Sequence, residues 1–439
     1  MTARALSDRI LTHAALHGPF RMAASRRAAR RGLGAVALGG GMQLEALVPL
    51  GLYASAAEAA DPGVRAIGFA GLGRIGRARE VWREADDPTP ALRRSLAVAA
   101  APFAPDWALE LLPPQAAAER LACRLAVADA ATAIGLTPPP PTSRENRLLA
   151  AAVHRVNGCC RNQRRALNAL FAADRLETAL EEEDAPPALD AFSADVAPID
   201  REGPLVSIIM AARDAADTLE TALTSLRRQS WTALEILLID DGSTDDTLAI
   251  GRRLAEADPR IRVHTNQGAP GAYGARNTGV ALARGDVIAF HDADDWAHPR
   301  RIERQLAGLS GGRLASVCGY FRLDDDGRIV NPRVFPLLRL NPILMMARRE
   351  TFERLGPFDE GRTGGDSEML ARLDALAGRW RVRRMPEPLV VARWSAASLM
   401  GASNTGLTPE GAAARVAYVE QWRRRHLQML QAGLAWNRP

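Results

Sequence analysis

Residues 205–242 read LVSIIMAARDAADTLETALTSLRRQSWTALEILLIDDG. The run Leu205–Ala212 is almost continuously apolar, as a strand covered on both faces of a parallel sheet must be. Beyond it Leu219, Ala222, Leu223 and Leu226 recur at helical spacing, which predicts an amphipathic helix. Asp217 and Glu220 stand at capping-box spacing near its start. LEILLID then supplies a second apolar strand that breaks off into the turn DGSTDDT. Strand, crossover helix and strand together predict a right-handed βαβ unit.

The alternation continues outward from there. A helix over Thr247–Ala257 leads to the strand RIRVHT, and a helix around Gly274–Ala283 leads to DVIAF. That last strand runs into AFHDADDWAHP (289–299), where Asp292, Asp294 and Asp295 fall together. In open parallel sheets ligands sit beyond the carboxyl ends of the strands. Asp240, Asp241 and Asp292–Asp295 all lie at such ends. Two carboxylates about 5 Å apart repel by roughly 3 kcal/mol at an effective dielectric near 20. A divalent cation would offset that repulsion. A solvated acidic turn is the plain alternative, and a second acidic cluster at the same edge weighs against it.

The chain has 439 residues, 47% hydrophobic, 24% charged and only 5% aromatic, so it is globular and long enough for two or three domains. It contains no lysine, and its 56 basic residues are arginines that leave a net charge of only +5. Basic clusters at Ser25–Gly32 and Gln421–His426 read as solvated helix faces, with an anionic membrane or acidic glycan as the lesser reading. No nucleic-acid motif accompanies them. The four cysteines make no CxxC pair and suit a reducing compartment. With no signal-peptide pattern and no convincing membrane span, a cytoplasmic protein is expected.

Residues 1–180 have a different texture, rich in Ala, Leu and Arg at helical spacing. Segments 65–88 and 148–180 look like helix–turn–helix pairs, though no strict repeat period is visible. The polar, proline-containing stretch Glu181–Pro204 reads as a linker. The expected organisation is a helical-repeat-like domain over 1–180, a linker over 181–204, an α/β domain over 205–400 and a helical segment over 401–439. GLGRIG (71–76) fits the dinucleotide fingerprint, but no alternating strand precedes it and Asp86 and Asp87 come too early. A turn between two helices is the better reading.

In the order of its motifs, the stretch from Leu205 to about Leu399 resembles glycosyltransferase family 2. VSIIMAARDAADTLETALTSLRRQSW, LEILLIDDGSTDDT, GARNTGVALARGDVIAFHDADDW and GPFDEGRTGGDSEMLARL carry the likeness. The resemblance implies a GT-A fold, Rossmann-like with a mostly parallel sheet, and an inverting transfer from a nucleotide sugar. It implies that Asp241 accepts the uracil N3–H, for which an acceptor-only carboxylate is suited. Ala211 and Arg213 stand where the family commonly has Pro-x-Tyr-Asn. Arg213 could stack on the base in place of the absent tyrosine. Arg276 and Asp292 are implied on the nucleotide side, and Asp294 and Asp295 as holders of Mn2+ or Mg2+. Arg393 in VVARW matches a basic position facing phosphate. Asp366 matches the catalytic base, with Glu368 as the alternative, and the helix N-cap as its plain structural role. His291 and His298 are read as structural.

The resulting expectation is a metal-dependent transferase moving a sugar, from UDP most of all, to a hydroxyl on a glycan or lipid-linked glycan in cell-surface polysaccharide assembly. It would be cytoplasmic, with peripheral contact at the inner face of the membrane. A nucleotidyltransferase is a rival, but AARDAADT lacks the glycine-rich loop that class needs. A non-catalytic scaffold with a vestigial core is a second rival, against which DxDD and Asp366 stand.

Overall fold

The computed structural model describes residues 52–127, 135–177, 179–199, 202–361, 363–395 and 408–431. The basic stretch Ser25–Gly32 lies outside them, as does most of the segment before the C-terminal helix.

The first strand, β1 (Val206–Ala212), explains the sheet. Val206, Ile208, Met210 and Ala212 point into one core with Leu219, Leu223 and Leu226 of the Leu219–Arg227 helix. Ile209 points into the core on the other face, and Ala211 packs against that core. Both faces are covered, which is why the run is apolar at every position but Ser207. The exception is satisfied: Ser207 Oγ donates to Glu235 Oε1 at 2.6 Å and accepts from Gly285 N–H. The expected capping box does not form. The helix begins after Thr218 without a side-chain cap, and Glu220 instead pairs with Arg253 across the surface.

β2 (Leu234–Asp240), β3 (Ile261–Thr265) and β4 (Val287–Asp292) complete a parallel half with spatial order β3-β2-β1-β4. The sheet then continues through β8 (Arg339–Arg348), β6 (Ala315–Asp324) and β9 (Val382–Trp394) to the short β5 (Trp296–Ala297). β8 runs antiparallel to both β4 and β6, whereas β6 and β9 are parallel. A two-residue strand, β7 (Ile329–Val330), pairs with β6.

The first half is helical, as its texture predicts. GLGRIG is the turn between helices Pro62–Gly71 and Ile75–Trp82, with Gly73 at φ +75°, and no strand leads into it. Residues 148–180 supply most of the hairpin Arg144–Val156 and Cys160–Ala172. A small core of its own joins Ile67, Leu96 and Trp107. The second hairpin, however, shares one continuous core with the sheet. Phe171 meets Trp296, Phe321 and Phe192 with ring centroids 6.3–6.4 Å apart. Phe192 and Ala194, inside the stretch expected to be a linker, are buried there too. That stretch is therefore packed against the fold instead of spacing two separate bodies. Among the described residues no helix is long and apolar enough to cross a membrane.

Candidate functional site

The register of the parallel half sets the site. Ala212 of β1 lies opposite Asp240 of β2, and Ala211 lies opposite Asp292 of β4. Asp240 and Asp241 divide their work. Asp240 turns back to accept the N–H groups of Gly242 and Ser243, closing the turn after β2. Asp241 instead reaches sideways, where Oδ1 accepts from Asn266 Nδ2 at 2.7 Å and Oδ2 from Gly271 N–H at 2.8 Å. Each oxygen keeps a lone pair for a further donor. Arg213 is exposed beside it, with Nη1 3.9 Å from Asp241 Oδ2.

The helix Ala272–Leu282 links the acidic groups. Its N-cap, Gly271, holds Asp241, as above. Tyr273 Oη donates to Asp366 Oδ1 at 2.8 Å and accepts from Gly364 N–H at 3.0 Å. Arg276 Nη2 donates to Asp292 Oδ1 at 2.7 Å, and its guanidinium lies 5.2 Å from the Tyr273 ring centre. Burial opposes the Arg276 charge, but Asp292, Tyr273 and Asp366 outweigh it and hold its pKa above the ordinary value. Burial, followed by the Asp366 charge, raises the Tyr273 phenol, so it stays a donor. The ion pair between Arg276 and Asp292 is thus buried at its arginine end.

In the turn after β4, burial and then the Asp292 charge push Asp294 up to about 6. Asp295 is only 3% exposed, and its Oδ1 accepts from Arg393 N–H at 3.1 Å. Burial, reinforced by Asp294 and Asp292, raises it strongly. Through its Oδ1, Asp295 braces the turn against β9. The Arg393 side chain pairs with Asp325 at 2.9 Å. Both histidines are structural. His291 Nε2 meets the Asp295 carbonyl and His298 Nε2 the Glu177 carbonyl, and burial holds both pKa values down.

A cation fits this turn only as a shared ligand. Among the described residues no three His, Cys, Asp or Glu side chains converge to cage a metal. Burial and the Asp292 charge leave the Asp294 carboxylate poorly offset, and the buried Arg276 Nε beside Asp292 lacks a hydrogen-bond partner. One carboxylate and an unused donor suit a metal completed by diphosphate oxygens.

Asp366 opens the helix Gly365–Ala377, in its first turn and not at its N-cap, which is Gly364 at φ +83°. A Cβ on Gly365 would lie 2.7 Å from the Asp359 carbonyl oxygen and 3.2 Å from the Tyr273 ring. The glycine pair is what lets Asp366 reach Tyr273. Glu368 points the other way, into Arg372 at 2.8 Å and His426 Nε2 at 2.7 Å on the C-terminal helix Pro409–Gln431. Of the basic cluster on that helix, His426 is buried, and Arg425 pairs with Asp359 at 2.8 Å, so it is no simple solvated face.

Residues 207–370 match the family model described as "Glycosyl transferase family 2". The segment belongs to glycosyltransferase family 2. Among its relatives, EpsJ of Bacillus subtilis (strain 168) is 32% identical over 222 residues, 45% of this chain and 63% of EpsJ. WfgD of Escherichia coli is 35% identical over 132 residues, 30% of this chain and 51% of WfgD. The chain thus spans less than two thirds of either relative. Among solved structures, the mannosyltransferase PcManGT from Pyrobaculum calidifontis, in complex with GDP-Man and Mn2+, is 17% identical with a TM-score of 0.36, covering 66% of this chain and 91% of PcManGT. The family 2 segment includes Asp241, Arg276, Asp292, Asp294 and Asp366, and stops short of Arg393. Tyr273 escaped the sequence reading. Its one available signal was standing three residues before Arg276, on the same helix face.

Proposed function

We propose that the chain is a metal-dependent inverting glycosyltransferase that moves a sugar from a nucleotide sugar, a UDP-sugar first, to a hydroxyl of a glycan or lipid-linked glycan. The observation that carries this reading is the helix Ala272–Leu282, which ties Asp241, Asp292 and Asp366 around one cleft. On this reading Asp241 accepts the uracil N3–H, Arg213 stacks over the base and Ala211 leaves room beneath it. Arg276 meets the diphosphate while Asp292 orients that arginine on the nucleotide side, Asp294 is the residue that would hold Mn2+ or Mg2+, and Arg393 adds positive charge at the rim. When bound, the metal would neutralise charge developing on the departing diphosphate.

Asp366 takes the proton of the acceptor hydroxyl as that oxygen attacks the anomeric carbon from the face opposite the leaving group. Tyr273 holds one carboxylate oxygen and leaves the other for the proton. Polysaccharide assembly is supported by WfgD, named as a UDP-Glc:alpha-D-GlcNAc-diphosphoundecaprenol beta-1,3-glucosyltransferase. A cytoplasmic location at the inner membrane face belongs to the same reading.

The test is thermal stabilisation by UDP with Mn2+ and with chelator, in the wild type and in Asp294→Ala. Stabilisation should require the metal in the wild type and lose that requirement in the variant. Equal stabilisation of the wild type in chelator and in Mn2+ would sink the metal-dependent reading.

A further inference from the structure

Beyond the acidic turn, the β6–β8–β9 part of the sheet carries a set of arginines to which the proposed donor chemistry gives no role. Tyr320 of β6 lies opposite Arg339 of β8, Arg322 opposite Ala392 of β9, and Asp324 opposite Trp394. Residues two apart, and those directly across, share a face. Tyr320, Arg322, Arg339 and Trp394 therefore line one surface. Arg322 Nη1 donates to Tyr320 Oη at 2.6 Å, with its guanidinium 4.7 Å from that ring centre and 6.0 Å from that of Trp394. Arg339 stands directly across from the same Tyr320 on the neighbouring strand. Arg333 reaches in from the loop between β7 and β8, and Arg415 from the C-terminal helix, each close enough to act electrostatically on its neighbours.

This surface is positively charged beyond what its own carboxylates offset. Among the described residues Arg322, Arg333 and Arg339 have no carboxylate at ion-pair distance. Glu145, on which Arg339 acts electrostatically, spends its oxygens on the Leu337 and Leu338 N–H groups at 2.7 and 3.1 Å. Burial, and then Arg333, lower Arg339 to about 10, so it stays protonated at neutral pH. The set also borders the proposed reaction centre on two sides. Arg322 acts on Asp294 and Asp295, and Arg415 on Tyr273 and Asp366.

We propose that Arg322, Arg333, Arg339 and Arg415 form a binding rim for a phosphoryl or diphosphoryl group carried by the acceptor. Guanidinium forks pair two oxygens at a time, and several converging from a sheet, a loop and a helix match a multiply charged group better than a single carboxylate. The acceptor owns this group because the nucleotide end of the cleft lies at the ends of β1 and β2, on the other side of the acidic turn. The inference rests on the transferase reading of that cleft, and gives its acceptor a charge.

The experiment is calorimetric titration of the full chain, first with UDP and Mn2+, then with inorganic pyrophosphate into the UDP-loaded protein. Pyrophosphate should bind the loaded wild type. Arg339→Gln and Arg322→Gln should each weaken that binding about tenfold or more, while UDP affinity stays within about twofold, which also shows that the variants fold. Arg339→Lys, which keeps the charge and loses the fork, should fall between. A short prenyl diphosphate binding more tightly than pyrophosphate assigns the group to a lipid carrier, and a sugar 1-phosphate doing so assigns it to a soluble acceptor. No pyrophosphate uptake by the UDP-loaded protein overturns the rim. So does an equal loss of UDP and pyrophosphate binding in the variants, which would give the arginines to the donor. Failure of UDP to bind the wild type overturns the underlying transferase reading, and is visible in the first titration alone.

Discussion

Asp366 and Glu368 stand two residues apart on one helix, and direction separates their roles. Asp366 accepts a hydrogen bond from Tyr273, whereas Glu368 is 1% exposed between Arg372 and His426. A carboxylate base works through placement, and such catalysis contributes about 10²–10⁴-fold. Asp366→Asn keeps the shape and removes the proton acceptor, so turnover should fall at least about 10²-fold with UDP binding retained. Tyr273→Phe removes a hydrogen bond that orients the base, and a loss of about tenfold in kcat, or 1.4 kcal/mol, is expected. Glu368→Gln should instead lower stability, because it leaves the Arg372 guanidinium without its anion. Steady-state turnover of the three variants, corrected for folded fraction, decides this. Full activity in Asp366→Asn beside an inactive Glu368→Gln would move the base to Glu368. Asp366 was legible from its motif, but its partner was not. Tyr273 lies 93 positions away in sequence, and only the fold brings the two together.

At the scale of elements, strands and crossover helices were legible because their apolar periodicity is local. Thr247–Ala257 begins and ends where its pattern does. Caps and turns were less legible, because several polar groups compete for each one. Asp217 had the spacing of a cap and does not act as one. Asp258, by contrast, organises the turn between that helix and β3 without belonging to any motif. It accepts from the Arg260 N–H at 3.1 Å, and its carboxylate pairs with Arg260 at 2.8 Å and Arg227 at 3.1 Å. Arg260 above all, with Arg227 behind it, holds Asp258 well below the usual carboxylate range. A depressed folded-state pKa stabilises the protein above the unfolded value, 3.8, and that contribution is lost as pH falls toward the folded one. Asp258→Asn should therefore cost on the order of 2 kcal/mol at pH 6. The gap from wild type should narrow as pH drops below 3.8. Urea denaturation of both proteins across that range measures it, and a gap that stays constant would deny the charge any part in the turn.

Across the whole molecule, the change of texture near residue 204 marks a change of secondary structure but not an end of the core. Composition reports which elements a segment forms. It does not report what those elements bury against, and here the partners lie more than a hundred residues apart. Phe171 and Phe192 from the first half cover Trp296, and Phe171 also covers Phe321 on β6. Arg300 pairs with Glu177 through both carboxylate oxygens, and Gln163 Nε2 donates to the Gly327 carbonyl at 2.6 Å. A chain beginning at Gly203 keeps the whole family 2 segment, yet it uncovers Trp296 and Phe321, takes Glu177 from Arg300 and takes Glu145 from the Leu337 N–H. Each large apolar side chain returned to water costs about 1.5–3 kcal/mol. With a typical domain stable by only about 5–15 kcal/mol, a few such losses are enough. The truncated chain should therefore bind a hydrophobic dye, elute as aggregate and unfold without a cooperative transition. Co-expression with residues 1–202 as a separate chain should restore a soluble complex. If the Gly203 chain were instead monodisperse and melted cooperatively at the full-length temperature, the shared core would contribute little, and the two halves would be separate domains after all.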